Sequence, residues 1–192
     1  IVFALDQIAY RIFKGHKIRL SISNSYWPLL WPTPDKSEIE IVEGSIEIPV
    51  INGSIENTRN FLPEKTDEPW KTETLKEASN SRKITRDIGS DVSILEIIDD
   101  FGLVRDLKHD LEIGSIAREW WSIHPDDPLS AEGKTHWTEE RSRGAWKTRT
   151  ETYAKMNSDA ENFYIYAKLE AYENEILFFE KEISETISRD SH

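Results

Sequence analysis

Hydrophobic and polar residues alternate with a period of two along much of the chain, and this pattern predicts β-strands. The pattern is clearest in the last third, where it predicts three strands over residues 146–156, 162–173 and 176–187. Alternation also predicts a strand over residues 17–23, where Ile18, Leu20 and Ile22 share one side. Further strands are predicted over residues 1–13 (one or two short strands), 38–51 (two short strands), 92–98, 103–107 and 113–123. Helical periodicity is confined to one short predicted helix at residues 73–79.

Polar segments and turn residues separate these strands. Asn52-Gly53 is a strong turn signal, and Asp99-Asp100-Phe101-Gly102 predicts another turn. Residues 53–91 are polar without a clear period, so we expect a long surface crossover there.

Many short strands joined by irregular turns indicate an all-β fold, an antiparallel β-sandwich. The long crossover favours Greek-key or jelly-roll connections over a simple meander. The length of 192 residues suits a single domain over residues 1–192.

The loop that follows the strand at residues 17–23 is unusually apolar. It contains Tyr26, Trp27 and Trp31, with Leu29 and Leu30 between them. Side chains of this kind need to be buried against their own domain or against a neighbour. We therefore expect Tyr26, Trp27 and Trp31 to line a domain interface or a pocket.

Composition and charge argue against some classes of binding partner and favour one compartment. Hydrophobic residues make up 38% of the chain, which allows a core, and the formal net charge of -12 argues against binding to nucleic acid. No apolar run approaches membrane-spanning length, so we expect no membrane contact. The sequence contains no cysteine, which suits a reducing compartment and favours the cytoplasm. Because the chain starts at Ile1, we expect it to be part of a longer product.

Catalytic motifs are missing from the sequence. It contains no G-x-S-x-G nucleophile elbow, no phosphate-binding loop and no dinucleotide-binding glycine pattern. The five histidines lack the spacing of zinc sites, and His16 is expected to be a hydrogen-bonding turn residue. His124-Pro125-Asp126-Asp127 resembles a cation site, but its prolines favour a turn. We therefore predict no catalytic, cofactor-binding or metal-binding residue and no cofactor.

Seven tryptophans leave two alternatives open. Trp120 and Trp121 are adjacent in a predicted strand, so their rings must lie on opposite faces of a sheet. The tryptophans belong either to the core of the sandwich and an interface between domains, or to a platform on which sugar rings or another flat ligand stack.

The segment GHKIRLSISNSYWPLLWPTP, residues 15–34, resembles the strand and aromatic-proline loop in the C-terminal domain of the CocE/NonD hydrolases. That family comprises serine hydrolases similar to cocaine esterase and to X-Pro dipeptidyl-peptidase. Further similar motifs follow in order over nearly the whole chain, at residues 46–50, 100–105, 120–131, 143–146, 163–172 and 187–190.

The resemblance implies a jelly-roll, galactose-binding-like β-sandwich that packs on the catalytic α/β-hydrolase domain of the same protein. It places the Ser-Asp-His triad in that other domain, so the chain alone is not expected to be catalytic. It also implies that the first strands of the sandwich are missing here. Either they are supplied elsewhere, for example by a second chain in a homo-oligomer, or this chain packs differently from the family domain. A carbohydrate-binding module and an assembly module remain the alternatives.

Overall fold

The computed structural model describes residues 2–35, 38–51 and 62–189. These residues contain eight β-strands and no helix. The strands are β1 (Thr72–Lys76), β2 (Ser79–Arg86), β3 (Ser93–Asp106), β4 (Leu111–His124), β5 (Asp127–Arg143), β6 (Trp146–Ser158), β7 (Asn162–Glu173) and β8 (Ile176–Ser188).

The eight strands form one antiparallel sheet in which β3 to β8 follow one another as a meander. At the opposite edge from β8, two strands share β3 as their partner. β2 pairs with the first part of β3, from Ser93 to Asp100, and β1 pairs with its last part, from Leu103 to Asp106. The contacts within the sheet are therefore made mostly between strands that are neighbours in sequence.

A two-residue turn sets the register between β7 and β8. β7 and β8 are joined by Asn174 and Glu175, which have φ angles of 48° and 65°. Positive φ at both central residues is the signature of a two-residue type I′ hairpin, whose twist matches that of the flanking strands. The three strands predicted in the last third of the sequence are confirmed, with their bounds shifted by at most two residues.

A bulge interrupts β3 where a turn was predicted. The pairing with β4 slips between Asp100 and Leu103, and Gly102 has a φ of 78°. The Gly102 amide donates a hydrogen bond of 2.9 Å to the Asp100 carboxylate. The backbone of Lys76 to Ala78 passes close to Gly102, and β3 continues through the bulge without reversing. The predicted turn at residues 99–102 is therefore wrong, and one strand replaces the two expected.

The sheet has two chemically different faces, because residues directly opposite each other on paired strands share a face. The apolar face carries Trp121, Trp137, Phe163 and their neighbours in register. The charged face carries Arg149, Glu151, Lys168 and their neighbours. Among the described residues, the buried hydrophobic side chains are Ala117 and Ala131, so most apolar side chains keep partial exposure.

The all-β class is confirmed, and a single antiparallel sheet with one apolar face is consistent with a β-sandwich. The jelly-roll, galactose-binding-like type stays a prediction. So does the assignment of residues 1–192 to a single C-terminal domain that lacks its first strands.

Several predicted elements differ from the structure. Residues 2–35 and 38–51 contain no strand, although strands were predicted at 1–13, 17–23 and 38–51. Alternation favours a strand only where a partner edge supplies hydrogen bonds, and these segments pair with no strand of the sheet.

The polar region also differs in detail. The predicted helix at 73–79 is wrong, since β1 covers Thr72–Lys76. β1 and β2 both lie inside the interval 53–91, which stays a predicted crossover. Residues 52–61, which include the predicted Asn52-Gly53 turn, lie outside the described residues. The sequence pattern did not predict β2, because its side chains are mostly polar. Ion pairs connect β2 to β3 instead, for example between Arg82 and Asp99 at 2.8 Å.

Candidate functional site

The apolar loop at residues 26–31 forms a compact turn. The Leu30 amide donates a hydrogen bond of 2.9 Å to the Tyr26 carbonyl, which closes one α-turn. The turn separates the loop side chains into two groups. Trp27 and Trp31 are half-buried against the sheet, whereas Tyr26, Leu29 and Leu30 are exposed.

Trp27 and Trp31 pack on the apolar face in a chain of edge-to-face contacts. The ring centroids of Trp27 and Trp31 lie 5.1 Å apart, and those of Trp27 and Trp121 lie 5.8 Å apart. Trp31 also contacts Phe163 of β7, with centroids 6.1 Å apart. The interplanar angles of 80° to 84° are those that the ring quadrupole favours. We call Trp27, Trp31, Trp121 and Phe163 the aromatic cluster.

A glycine in β5 makes room for this cluster. Gly133 lies directly opposite Trp121, and a Cβ at Gly133 would lie 2.6 Å from the Trp121 ring. The indole therefore lies across the glycine and closes the gap that a missing side chain leaves in the sheet. This fixes the Trp121 ring where Trp27 can contact it.

Polar groups tie the loop to the far end of the chain. The Trp31 indole donates a hydrogen bond of 2.9 Å to the Ser158 hydroxyl, and Arg189 donates one of 3.0 Å to the same oxygen. Arg189 also donates a hydrogen bond of 2.6 Å to the Pro32 carbonyl and lies over the Phe163 ring, 4.7 Å from its centroid. Ser158 and Pro32 are buried, so these bonds are shielded from water.

The exposed group of the loop faces away from the sheet. Tyr26 is 63% exposed, Leu29 70% and Leu30 64%. We call these three the outer loop residues. The three residues predicted to line an interface or pocket thus differ in the structure: Trp27 and Trp31 contact this chain's own sheet, whereas Tyr26 is mostly exposed. Leu29 and Leu30 join Tyr26 on the exposed side, and sequence reasoning left them out because a turn's two sides cannot be told apart by composition.

The charged face holds a second cluster, centred on Glu151. Its carboxylate accepts hydrogen bonds from Thr138 at 2.8 Å, His136 at 2.7 Å and Arg149 at 2.5 Å. Burial works to raise the pKa of Glu151, but the bonds from Thr138, His136 and Arg149 outweigh it, so the pKa lies below its ordinary value.

Neighbouring side chains complete the Glu151 cluster. His136 stacks on Tyr153 with ring centroids 4.3 Å apart, and Arg149 lies 4.2 Å from the Tyr172 ring centroid. A carboxylate so fully engaged is a structural acceptor rather than a free general base.

The histidine motifs are turn elements. The His16 amide donates to the Phe13 carbonyl at 3.0 Å, and the His124 ring accepts a hydrogen bond of 3.1 Å from the Asp126 amide. No group of three His, Asp or Glu residues in the described part of the chain could hold a metal ion. No helix within those same residues is long and apolar enough to span a membrane.

Trp120 and Trp121 lie on opposite faces of β4, as predicted. Trp120 is opposite Glu96 and donates to its carboxylate at 3.1 Å, whereas Trp121 is opposite Gly133. Sugar rings stack on an open indole face. Trp121 instead is half-buried and packs against Gly133 and Trp27.

Residues 1–73 match the sequence model of a protein family described as the X-Pro dipeptidyl-peptidase C-terminal non-catalytic domain. The matched segment contains the whole apolar loop and ends as β1 begins. The later motifs of the resemblance lie outside the matched segment. No curated protein and no solved structure matches the chain. The match supports, over residues 1–73, the resemblance of this chain to the non-catalytic C-terminal domain of X-Pro dipeptidyl-peptidase-type hydrolases.

Proposed function

We propose that this chain is the non-catalytic C-terminal portion of a serine hydrolase of the X-Pro dipeptidyl-peptidase or acyl-esterase type, and that its apolar loop packs on the catalytic domain of the same protein. The catalytic triad belongs to that α/β-hydrolase domain, and this chain contributes a rigid contact surface. The chain on its own hydrolyses neither esters nor X-Pro peptides.

One observation carries the proposal. The outer loop residues are large, apolar and at least 63% exposed, on a turn that the aromatic cluster anchors from behind. An exposed apolar turn held in a fixed position is suited to enter an apolar depression on a partner. The family match covers this loop, and the family is described as non-catalytic and C-terminal, which supports a catalytic domain as that partner.

The proposal is tested with two glutamates in place of Leu29 and Leu30 in the intact hydrolase. We expect the double variant to lower the midpoint of thermal unfolding of the catalytic domain and to make the junction more sensitive to limited proteolysis, because two charges would be buried at the contact. Ile88→Glu is the matched control, since Ile88 is 95% exposed in the turn between β2 and β3.

The expected result is a stability loss in the loop variant that the control does not share. Equal thermal unfolding and equal proteolysis of the loop variant, the control and the wild type would contradict the proposed contact. Release of X-Pro dipeptides by the isolated 192-residue chain would contradict its non-catalytic role.

A further inference from the structure

The last strand of the sheet is an open edge. Within residues 2–35, 38–51 and 62–189, β8 pairs with β7 alone, and all residues of β8 are exposed. It carries large apolar side chains that are unusual for an edge, among them Phe178 at 80% exposure and Phe179 at 47%. A long apolar edge with unpaired backbone groups is a template for another strand.

We propose that β8 pairs with β8 of a second copy of this chain, antiparallel and centred on Ile183, to give a two-fold symmetric dimer with one continuous sheet. The proposal goes beyond the contact with a catalytic domain and does not depend on it.

The side chains of β8 are self-complementary in this register. With Ile183 opposite its own counterpart, Lys181 lies opposite Glu185 and Phe179 lies opposite Ile187. Opposite charges and apolar pairs directly across an antiparallel ladder are both stabilising. Glu180 and Glu182 come to lie opposite Thr186 and Ser184, so no like charges meet over residues 179–187.

The neighbouring symmetric registers are worse. A centre at Glu182 places that carboxylate opposite itself, and a centre at Lys181 opposes two ammonium groups and also places Glu180 opposite Glu182. Like charges directly opposite each other are destabilising. A centre at Ser184 avoids like charges but places Ile183 opposite Glu185 and Lys181 opposite Ile187.

The two-fold arrangement also continues the apolar face. Phe179, Ile183 and Ile187 of β8 lie opposite Ala171, Ala167 and Phe163 of β7, and therefore share the apolar face of the sheet. A two-fold axis perpendicular to the sheet keeps the apolar faces of both copies on the same side. The dimer thus extends the apolar row across the junction.

The opposite edge of the sheet fits a second copy less well. The basic side chains of β2 are already engaged by this chain, Lys83 with Glu96 at 3.3 Å and Arg86 with Asp91. Pairing of β8 with β2 of another copy would be head-to-tail and would lead to open assemblies instead of a closed dimer.

The experiment is sedimentation velocity of the 192-residue chain over a concentration series. Lys181→Glu and Glu185→Lys each create two like-charge pairs across the two-fold axis, and we expect each to raise the dimer dissociation constant about tenfold or more. The double variant that exchanges the two charges restores the opposite-charge pairs and is expected to restore the dimer. Asp126→Lys, in the turn between β4 and β5, is the control with the same change in charge as Glu185→Lys.

Hydrogen exchange provides a second measurement. The outward-facing β8 amides are expected to become protected as the concentration rises, and those of β2 are not. Each of four results would overturn the proposal: a monomer at every concentration, species that grow beyond the dimer, a dimer unaffected by either single variant, or an exchanged double variant that stays monomeric.

Discussion

Glu151 shows how the charged face of the sheet is held together by single residues. It accepts three side-chain hydrogen bonds and is itself buried, so these donors take the place of water around the carboxylate. Its pKa lies below the ordinary value because the bonds from Thr138, His136 and Arg149 outweigh the effect of burial. A carboxyl group of this kind links stability to pH.

Replacement of Glu151 by glutamine tests this linkage. Because the folded state lowers the pKa of Glu151, its contribution to the free energy of unfolding is present above the ordinary pKa of about 4.5 and is lost as the pH falls through the folded value. We expect Glu151→Gln to reduce the free energy of unfolding by about 1–2 kcal/mol at pH 7, and by clearly less near pH 3.

Urea unfolding at both pH values measures the difference. Glu139→Gln is the control on the neighbouring strand, since Glu139 is more exposed and contacts Arg141 at 3.1 Å. A loss in Glu151→Gln that is the same at both pH values would show that packing, not charge, is what the substitution removes.

At the scale of the element, the bulge in β3 decides how one strand serves two partners. Gly102 lies between the stretch of β3 that pairs with β2 and the stretch that pairs with β1. Its φ of 78° belongs to the left-handed region, which glycine adopts without strain. The backbone of Lys76 to Ala78 passes so close that a Cβ has no room.

Gly102→Ala is therefore expected to be strongly destabilising. We expect a loss of about 2–4 kcal/mol in the free energy of unfolding, because positive φ and a backbone clash act together. Gly44→Ala is the control, since a Cβ at Gly44 meets nothing within 4 Å. Denaturant unfolding followed by circular dichroism compares the two variants. Equal stability of both would mean that β1 and β2 shift away from Gly102 freely.

The elements that sequence reasoning found are those with an apolar signal on one face. In β7, Phe163, Ile165 and Leu169 alternate with tyrosines and charges, and the strand is where the pattern placed it. β5 was not predicted, because its side chains are polar on the charged face and mostly small or polar on the apolar face. Gly133, which lies opposite Trp121, is one of these small residues. The bulge at Gly102 was predicted as a turn, because the sequence Asp-Asp-Phe-Gly is compatible with a turn and with a bulge. Only the backbone of Lys76 to Ala78, which lies against Gly102 in the fold, distinguishes the two.

The site was predicted in part for a similar reason. Composition marked the loop as apolar and named Tyr26, Trp27 and Trp31 as contacts. It could not show that Trp27 and Trp31 find Trp121 and Phe163, because those residues are far away in sequence. Only the fold separates the anchored side of the loop from the exposed one.

At the scale of the whole molecule, one small set of contacts joins the apolar loop to the sheet. The loop belongs to residues 1–73, whereas the strands run from Thr72 to Ser188. The Trp31–Ser158 hydrogen bond and the Arg189–Pro32 hydrogen bond connect positions 127 and 157 residues apart.

Substitutions at Trp31 test this junction. Trp31→Phe keeps an aromatic ring but removes the donor to Ser158, and we expect it to cost about 1 kcal/mol of stability. Trp31→Ala also removes the ring contacts and is expected to cost about 2–3 kcal/mol, less than for a fully buried tryptophan. Denaturant unfolding followed by near-UV circular dichroism measures the stability of each variant.

Trp146→Phe is the control, since Trp146 is 42% exposed at the start of β6. We expect both Trp31 variants to lose the near-UV signal at a lower denaturant concentration than the control, and Trp31→Ala at a lower concentration than Trp31→Phe. A Trp31→Ala variant as stable as the control would show that the loop does not stabilise the sheet.

The distance between the loop and its receptors along the chain has a consequence for synthesis. The strands of the meander can pair with the strand just before them as each is made, but Trp27 must wait for Trp121 of β4, and Trp31 must wait for Ser158 of β6 and Phe163 of β7. At about 5–20 residues per second, translation takes roughly 7–26 s to pass from Trp31 to Phe163. For that interval the nascent chain displays the Trp31 indole without the part of the sheet that packs on it. The loop can therefore be fully anchored only after β6 and the start of β7 have been made, late in the synthesis of the chain.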